Sequence, residues 1–354
     1  MFPKIKALLP LAVFLFQNSL YSQISLPYPY GLSADHEESP IDSFFKVAVF
    51  GDSLLHNFHV SNKVSMLAQM SAITDPESIR NGLIDLDSSR ESINSFSEQL
   101  SKATLSAGLP SLTINLGTPG SNVVSDPERD KQQNKEDLVS GIVALKGQVD
   151  RLTELSIDDT PFTPDLVISW IGHNDVNLLF RGYEGDELER TFGDVYKKEL
   201  TRTVKTLNKA SKLDLKKRAL LVFTIGNLES ALKARDMCEA EHLEDPKKYP
   251  DFDKARDSIE CLQKTNRAPA LAIAKRLNEV IRNIVAELQN NQNLNNESVK
   301  VYISEAFTNM TYKKSDLSLK DAFHPSPAGF QKMADVLMTE SKEARKFINP
   351  FVPE

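Results

Sequence analysis

The sequence predicts an α/β protein: a parallel sheet of five strands with helices on both faces. Two observations lead there. Short apolar runs, rich in β-branched residues, occupy 46–50, 112–116, 166–171, 219–225 and 299–303. Between them lie segments whose apolar residues recur in steps of three and four, the spacing of one helix face. Strands that alternate with helices must cross over to pair, and crossover gives a parallel sheet buried on both sides.

Each helix has its own signature. Leu138, Ile142, Leu145, Val149 and Leu152 form one stripe, and Leu188, Phe192, Val195, Leu200, Val204 and Leu207 a second. Leu271, Ile273, Leu277, Ile281, Ile284 and Leu288 form a third, and Phe330, Met333, Ala334 and Leu337 a fourth. Pro325 and Pro327 punctuate the start of the last one. The wide spacing of strands in a 354-residue chain indicates one domain with insertions rather than two domains. The polar, serine-rich stretch 75–106 reads as loops and short helices. The segment 235–263 is the main insertion after the fourth strand, and its charge run 239–248 reads as a solvated surface.

The amino terminus has a different character. Lys4 and Lys6 precede an apolar stretch, 7–16, too short to span a bilayer comfortably, and small and polar residues follow to Ser22. This is the pattern of a secretory signal over 1–22, leaving 23–44 as an extension before the domain. Export to the periplasm, the cell envelope or the medium is the expectation. The two cysteines, Cys238 and Cys261, suit an oxidising compartment, where an even count suggests one disulfide; two buried thiols are the alternative. A net charge of −7 and a pI near 5.6 argue against nucleic acid as a partner and against permanent adsorption to anionic membranes. Transient contact with a membrane surface stays open.

The chemistry centres on Ser53. The strand-like run 45–50 stops at Gly51, and Asp52-Ser53-Leu54 follows, so Ser53 sits at the carboxyl end of a strand, the edge where open α/β sheets bind ligands. A serine there is a nucleophile only if a base and an oxyanion site converge on it; otherwise it caps a helix. Asp321-Ala322-Phe323-His324 offers the base, with the carboxylate fixing the imidazole tautomer. Oxyanion donors are available at two further strand ends. Gly117-Thr118-Pro119-Gly120-Ser121 offers backbone N–H groups, and Gly172-His173-Asn174-Asp175 offers the Asn174 amide, unless that amide bonds its own loop.

Gly51-Asp52-Ser53-Leu54, Gly120, Gly172-His173-Asn174-Asp175 and Asp321-x-x-His324, in that order and strand context, resemble the four blocks of the SGNH, or GDSL, hydrolase superfamily. The resemblance implies a three-layer α/β/α, flavodoxin-like fold over 45–345. It implies Ser53 as nucleophile, His324 as base and Asp321 as its orienter. The Ser53 N–H, the Gly120 N–H and Asn174 would form the oxyanion hole. Gly120 is preferred to Gly117 because the family's glycine usually precedes a small polar residue, here Ser121. Leu55 and His173 depart from the commoner residues of their blocks, His173 standing where glycine or threonine is usual.

Chain length, the Pro164-Asp165-Leu166-Val167 approach to the third block and the cysteine-bearing insertion resemble the phospholipase B and lipase-like branch. The implied activity is hydrolysis of carboxylic esters, lipid or phospholipid acyl esters first, without a cofactor. A carbohydrate O-deacetylase and a non-catalytic binding protein are the alternatives, and a long apolar cleft rather than a shallow polar one would favour the lipid reading. His56 and His59 lack a carboxylate partner for a metal, Asp75, Asp85 and Asp87 lack calcium-loop spacing, and Trp170 reads as core.

Overall fold

The computed structural model describes residues 45–52, 96, 100, 104, 111–117, 120–124, 144–154, 156–157 and 160–339. Strands β1 (Phe45–Gly51), β2 (Ser111–Asn115), β5 (Leu166–Trp170), β6 (Arg218–Phe223) and β7 (Val299–Ser304) make one sheet in the order β2-β1-β5-β6-β7. All four pairings are parallel, with Val49 opposite Asn115 and Ile168, and Leu221 opposite Ile168 and Tyr302. The order doubles back at β1. The chain runs outward from β1 to β2, then returns across β1 to β5 and onward, which places a topological switch point beside the carboxyl end of β1.

A two-stranded antiparallel ribbon, β3 (Ser156–Ile157) with β4 (Thr160–Pro161), lies outside that sheet. The helices among the described residues are α1 (Leu145–Glu154), α2 (Asp175–Leu178), α3 (Gly185–Asp214), α4 (Leu228–Glu244), α5 (Phe252–Ser258), α6 (Arg267–Asn290), α7 (Ala306–Asn309) and α8 (Pro327–Thr339). None is long and apolar enough to cross a membrane.

The strands explain the layers. Successive side chains point to opposite faces, and here both faces are apolar. Ala48, Phe50, Val167, Leu220 and Val222 pack with α1, α3 and α6, through Val149, Phe192, Leu200, Leu277 and Ile281. Val47, Val49, Ile168, Trp170, Leu221 and Phe223 pack on the other side with Phe307 of α7 and Phe330 and Met333 of α8. Trp170 is fully buried, its indole N–H donating to the Thr224 carbonyl at 3.0 Å, so it is a core residue.

The insertion bears out one expectation and corrects another. The charged residues of the run 239–248 are half-buried or exposed, while α4, which carries part of that run, turns Ala234, Arg235, Cys238 and His242 inward. Cys238 and Cys261 do not form the expected disulfide; both thiols are free and buried. They belong to different apolar clusters, Cys238 with Tyr249 and Phe252, Cys261 with the main core. Burial raises both thiol pKa values, that of Cys261 to about 12, which favours the inert neutral form. Residues 1–44, with the expected signal and extension, and Ser53, Leu55, His56, His59, Asp75, Asp85 and Asp87 lie outside the described residues.

Candidate active site

The carboxyl ends of β1, β2, β5 and β6 and the turn before α8 bring the candidate residues to one edge. At β1, Gly51 is held by a buried amide from α1: its N–H donates to Gln148 Oε1 at 2.9 Å, and Gln148 Nε2 donates to its carbonyl at 2.8 Å. This pairing satisfies both backbone groups of the last strand residue without another strand. Asp52, fully buried, follows it, and Ser53 is the next residue in the chain.

The second and third blocks are joined directly. Gly120 has φ +76°, in the left-handed region that glycine occupies without a Cβ clash. Asn174 does not bond its own loop. Its amide Nδ2 donates to the Ser121 carbonyl at 3.0 Å, setting the side chain against the Gly120 turn. Asp175 then clamps the same loop: its carboxylate accepts from the Val123 N–H at 2.9 Å and the Val124 N–H at 2.8 Å. Burial dominates those favourable bonds and lifts the Asp175 pKa to about 7. Gly172 has φ +123°, a backbone conformation that calls for glycine, and a Cβ there would stand a tight 3.3 Å from Ile225 Cγ1 and Phe192 Cε2.

The Asp321–His324 pair lies on a tight turn with Ala322 at φ +53°, an uncommon left-handed non-glycine residue. That turn carries both side chains to one side. His324 Nδ1 meets Asp321 Oδ2 in a short hydrogen bond, while Asp321 Oδ1 accepts from the Phe323 N–H at 3.0 Å and the His324 N–H at 3.1 Å. The carboxylate is fully buried and the histidine 3% exposed. An accepting carboxylate assigns the proton to Nδ1 and makes Nε2 the basic nitrogen.

The insertion supports this turn. Arg235 of α4 donates through Nη1 to the Asp321 carbonyl and through Nη2 to the Phe252 carbonyl at 2.9 Å, with its guanidinium carbon 3.8 Å from the centre of the Phe252 ring. Burial lowers the Arg235 pKa to about 10, and the nearby Asp321 charge works against that shift. No local pattern marks Arg235, Gln148 or Asp175 as supporting residues, since each acts on a partner far along the chain.

A cleft open to solvent runs from Asp52 and Asn174 toward the insertion. Leu228 and Ala231 of α4, Ile259, Cys261 and Phe323 supply apolar wall. Two amide oxygens of the lining are already engaged: Asn177 Oδ1 accepts from the Cys261 N–H at 2.9 Å, and Asn227 Oδ1 from the Ser230 N–H at 3.0 Å.

A model of the GDSL-like lipase/acylhydrolase family matches residues 47–337, and the chain belongs to that family of ester hydrolases. Similar solved structures include a carbohydrate esterase, 13% identical, TM-score 0.40, the alignment covering 86% of this chain and 70% of that one. A member of the lipolytic G-D-S-L family from Veillonella parvula is 12% identical, TM-score 0.33, covering 84% and 97%. A lipase from a goat rumen metagenome is 12% identical, TM-score 0.38, with the same coverages. No curated protein matches the chain significantly.

Proposed function

We propose that the chain is an exported serine hydrolase that cleaves carboxylic esters with apolar acyl groups, through an acyl-enzyme on Ser53. The observation that carries this reading is the buried Asp321–His324 pair at the sheet edge that also holds Asp52, Gly120 and Asn174. Ser53 Oγ attacks the ester carbonyl carbon while its proton passes to His324 Nε2. Asp321 holds the imidazolium that forms. The carbonyl oxygen takes up negative charge opposite the Ser53 N–H, the Gly120 N–H and Asn174 Nδ2. Collapse of the tetrahedral adduct breaks the bond to the alcohol, which leaves with the proton from His324. Water then attacks the acyl-enzyme with His324 again as base, releasing the acid and restoring Ser53.

The lipid-like acyl preference rests on the cleft, where the Asn177 and Asn227 amide oxygens accept from backbone N–H groups while Leu228, Ala231, Ile259 and Phe323 present carbon. Export rests on the residue pattern of 1–22. The test is hydrolysis of nitrophenyl esters from acetate to octanoate by wild type and Ser53→Ala. The reading expects loss of turnover in the variant and a wild-type profile that rises beyond acetate. Equal rates for the two proteins would sink it, and a profile confined to acetate would favour the carbohydrate deacetylase.

A further inference from the structure

His173 has no part in the hydrolytic steps, yet it is tied to the site on both ring nitrogens. The Gly226 N–H donates to Nε2 at 3.0 Å, which makes Nε2 the acceptor and assigns the ring proton to Nδ1. Nδ1 lies 3.1 Å from Asp52 Oδ2 and donates to it. The ring also stands edge-on to Trp170, the centres 4.7 Å apart at 86°. Glycine at 226 lets the strand end come this close: a Cβ there would lie 3.0 Å from Trp170 Cζ2 and 3.4 Å from His173 Nε2.

The two groups that this ring connects follow different strands. Asp52 directly follows β1, its side chain 1% exposed, and a carboxylate so buried is stable only when hydrogen-bonded. Gly226 lies beyond β6, on the far side of β5 from β1. A glycine or threonine at position 173 could not span that gap. A base would need one nitrogen facing the nucleophile, whereas both nitrogens of His173 serve protein partners.

We propose that His173 is a positioning residue for the proposed nucleophile: its neutral ring, protonated on Nδ1, ties the Asp52 carboxylate to the segment after β6 and so anchors the chain at the residue that immediately precedes Ser53. The proposal rests on the reading of Ser53 as nucleophile. Misplacing a reacting group by about 1 Å can cost roughly 10²-fold in rate without changing how well substrate binds. His173→Leu keeps apolar contact with Trp170 and removes the tie. His173→Gln keeps one donor and one acceptor and cannot become charged.

The experiment measures kcat and KM of the full chain on nitrophenyl butyrate, with thermal melts, for wild type, His173→Leu, His173→Gln and Ser53→Ala. The expected result is a fall in kcat of roughly 10²-fold for His173→Leu with KM little changed, and recovery of at least tenfold by His173→Gln. Nitrogen-15 NMR of the imidazoles, assigned by the signal that His173→Gln removes, should show the Nδ1–H tautomer. A folded His173→Leu with wild-type kcat overturns the proposal, as does an Nε2–H tautomer. Should His173→Leu fail to fold, the tautomer and the turnover of His173→Gln decide, and a folded glutamine variant below a hundredth of wild type counts against it. If Ser53→Ala matches wild type, the nucleophile reading fails instead, which separates the two outcomes.

Discussion

Arg235 donates a hydrogen bond to the backbone carbonyl of Asp321, so a helix of the insertion holds the turn that carries the His–Asp pair. The guanidinium is 2% exposed and bridges to the Phe252 carbonyl across the Phe252 ring. Arg235→Met would leave two buried carbonyls short of their donors. Hydrogen bonds from a charged group are worth about 1.5–3 kcal/mol, so a loss of that order in urea-unfolding stability is expected. kcat should fall more than KM rises, because the His324 ring loses its fixed seat. Arg235→Lys, without the planar fork, should recover part of the stability and little of the rate. Unchanged stability and kcat in Arg235→Met would show that the insertion does not support the turn.

Asn174→Ala tests the oxyanion assignment. The amide reaches the Ser121 carbonyl from beyond β5, across β1 from β2, so its loss removes one donor while Asp175 still clamps Val123 and Val124. Removal of one such donor typically costs about 10²–10³-fold in kcat. A decrease of that size on nitrophenyl butyrate, with KM within about threefold, is the expected outcome. A decrease below tenfold would leave the oxygen to backbone donors alone.

Much of this architecture was legible because it is written locally. The runs at 46–50 and 219–225 are apolar on both faces, as buried parallel strands must be, and the stripes at 188–207 and 271–288 repeat with helical spacing. Helix α4 was not legible: its buried side mixes Ala231, Ala234 and Cys238 with Arg235 and His242, so charge obscures the periodicity. The disulfide expectation failed for a related reason, since cysteine count says nothing of which cluster each thiol joins. In the site, Asp321 and His324 are three residues apart and could be paired by inspection. Gln148 on Gly51, Asp175 on Val123 and His173 on Asp52 meet only through the sheet order, which no short pattern records.

Asp175 should make stability depend on pH. Its folded pKa of about 7 stands well above the ordinary carboxylate value of 3.8, because burial disfavours the charge. The folded state therefore holds a proton that the unfolded chain has released, and the stability this group contributes is complete below about pH 4 and lost as pH rises through about 7. Asp175→Asn keeps an acceptor for the Val123 and Val124 N–H groups but cannot ionise. The variant's melting temperature, measured from pH 4 to 8, should decline less over that window than that of wild type. Parallel curves for the two proteins would mean that Asp175 is ionised throughout.

The proposed acyl preference is tested at the wall that α4 contributes. Ala231 on α4 lines the cleft with Leu228 and Ile259, and a larger side chain there would fill space otherwise open to an acyl chain. Each buried methylene is worth about 0.8 kcal/mol, so excluding four of them costs about 3 kcal/mol, or roughly 10²-fold in kcat/KM. Ala231→Phe should therefore depress hydrolysis of nitrophenyl octanoate by about that factor, with acetate within about threefold of wild type. The comparison is internal to one variant, so a general loss of folded protein cannot mimic it. An equal effect on both esters would place the acyl chain elsewhere and assign this wall to the alcohol side of the ester.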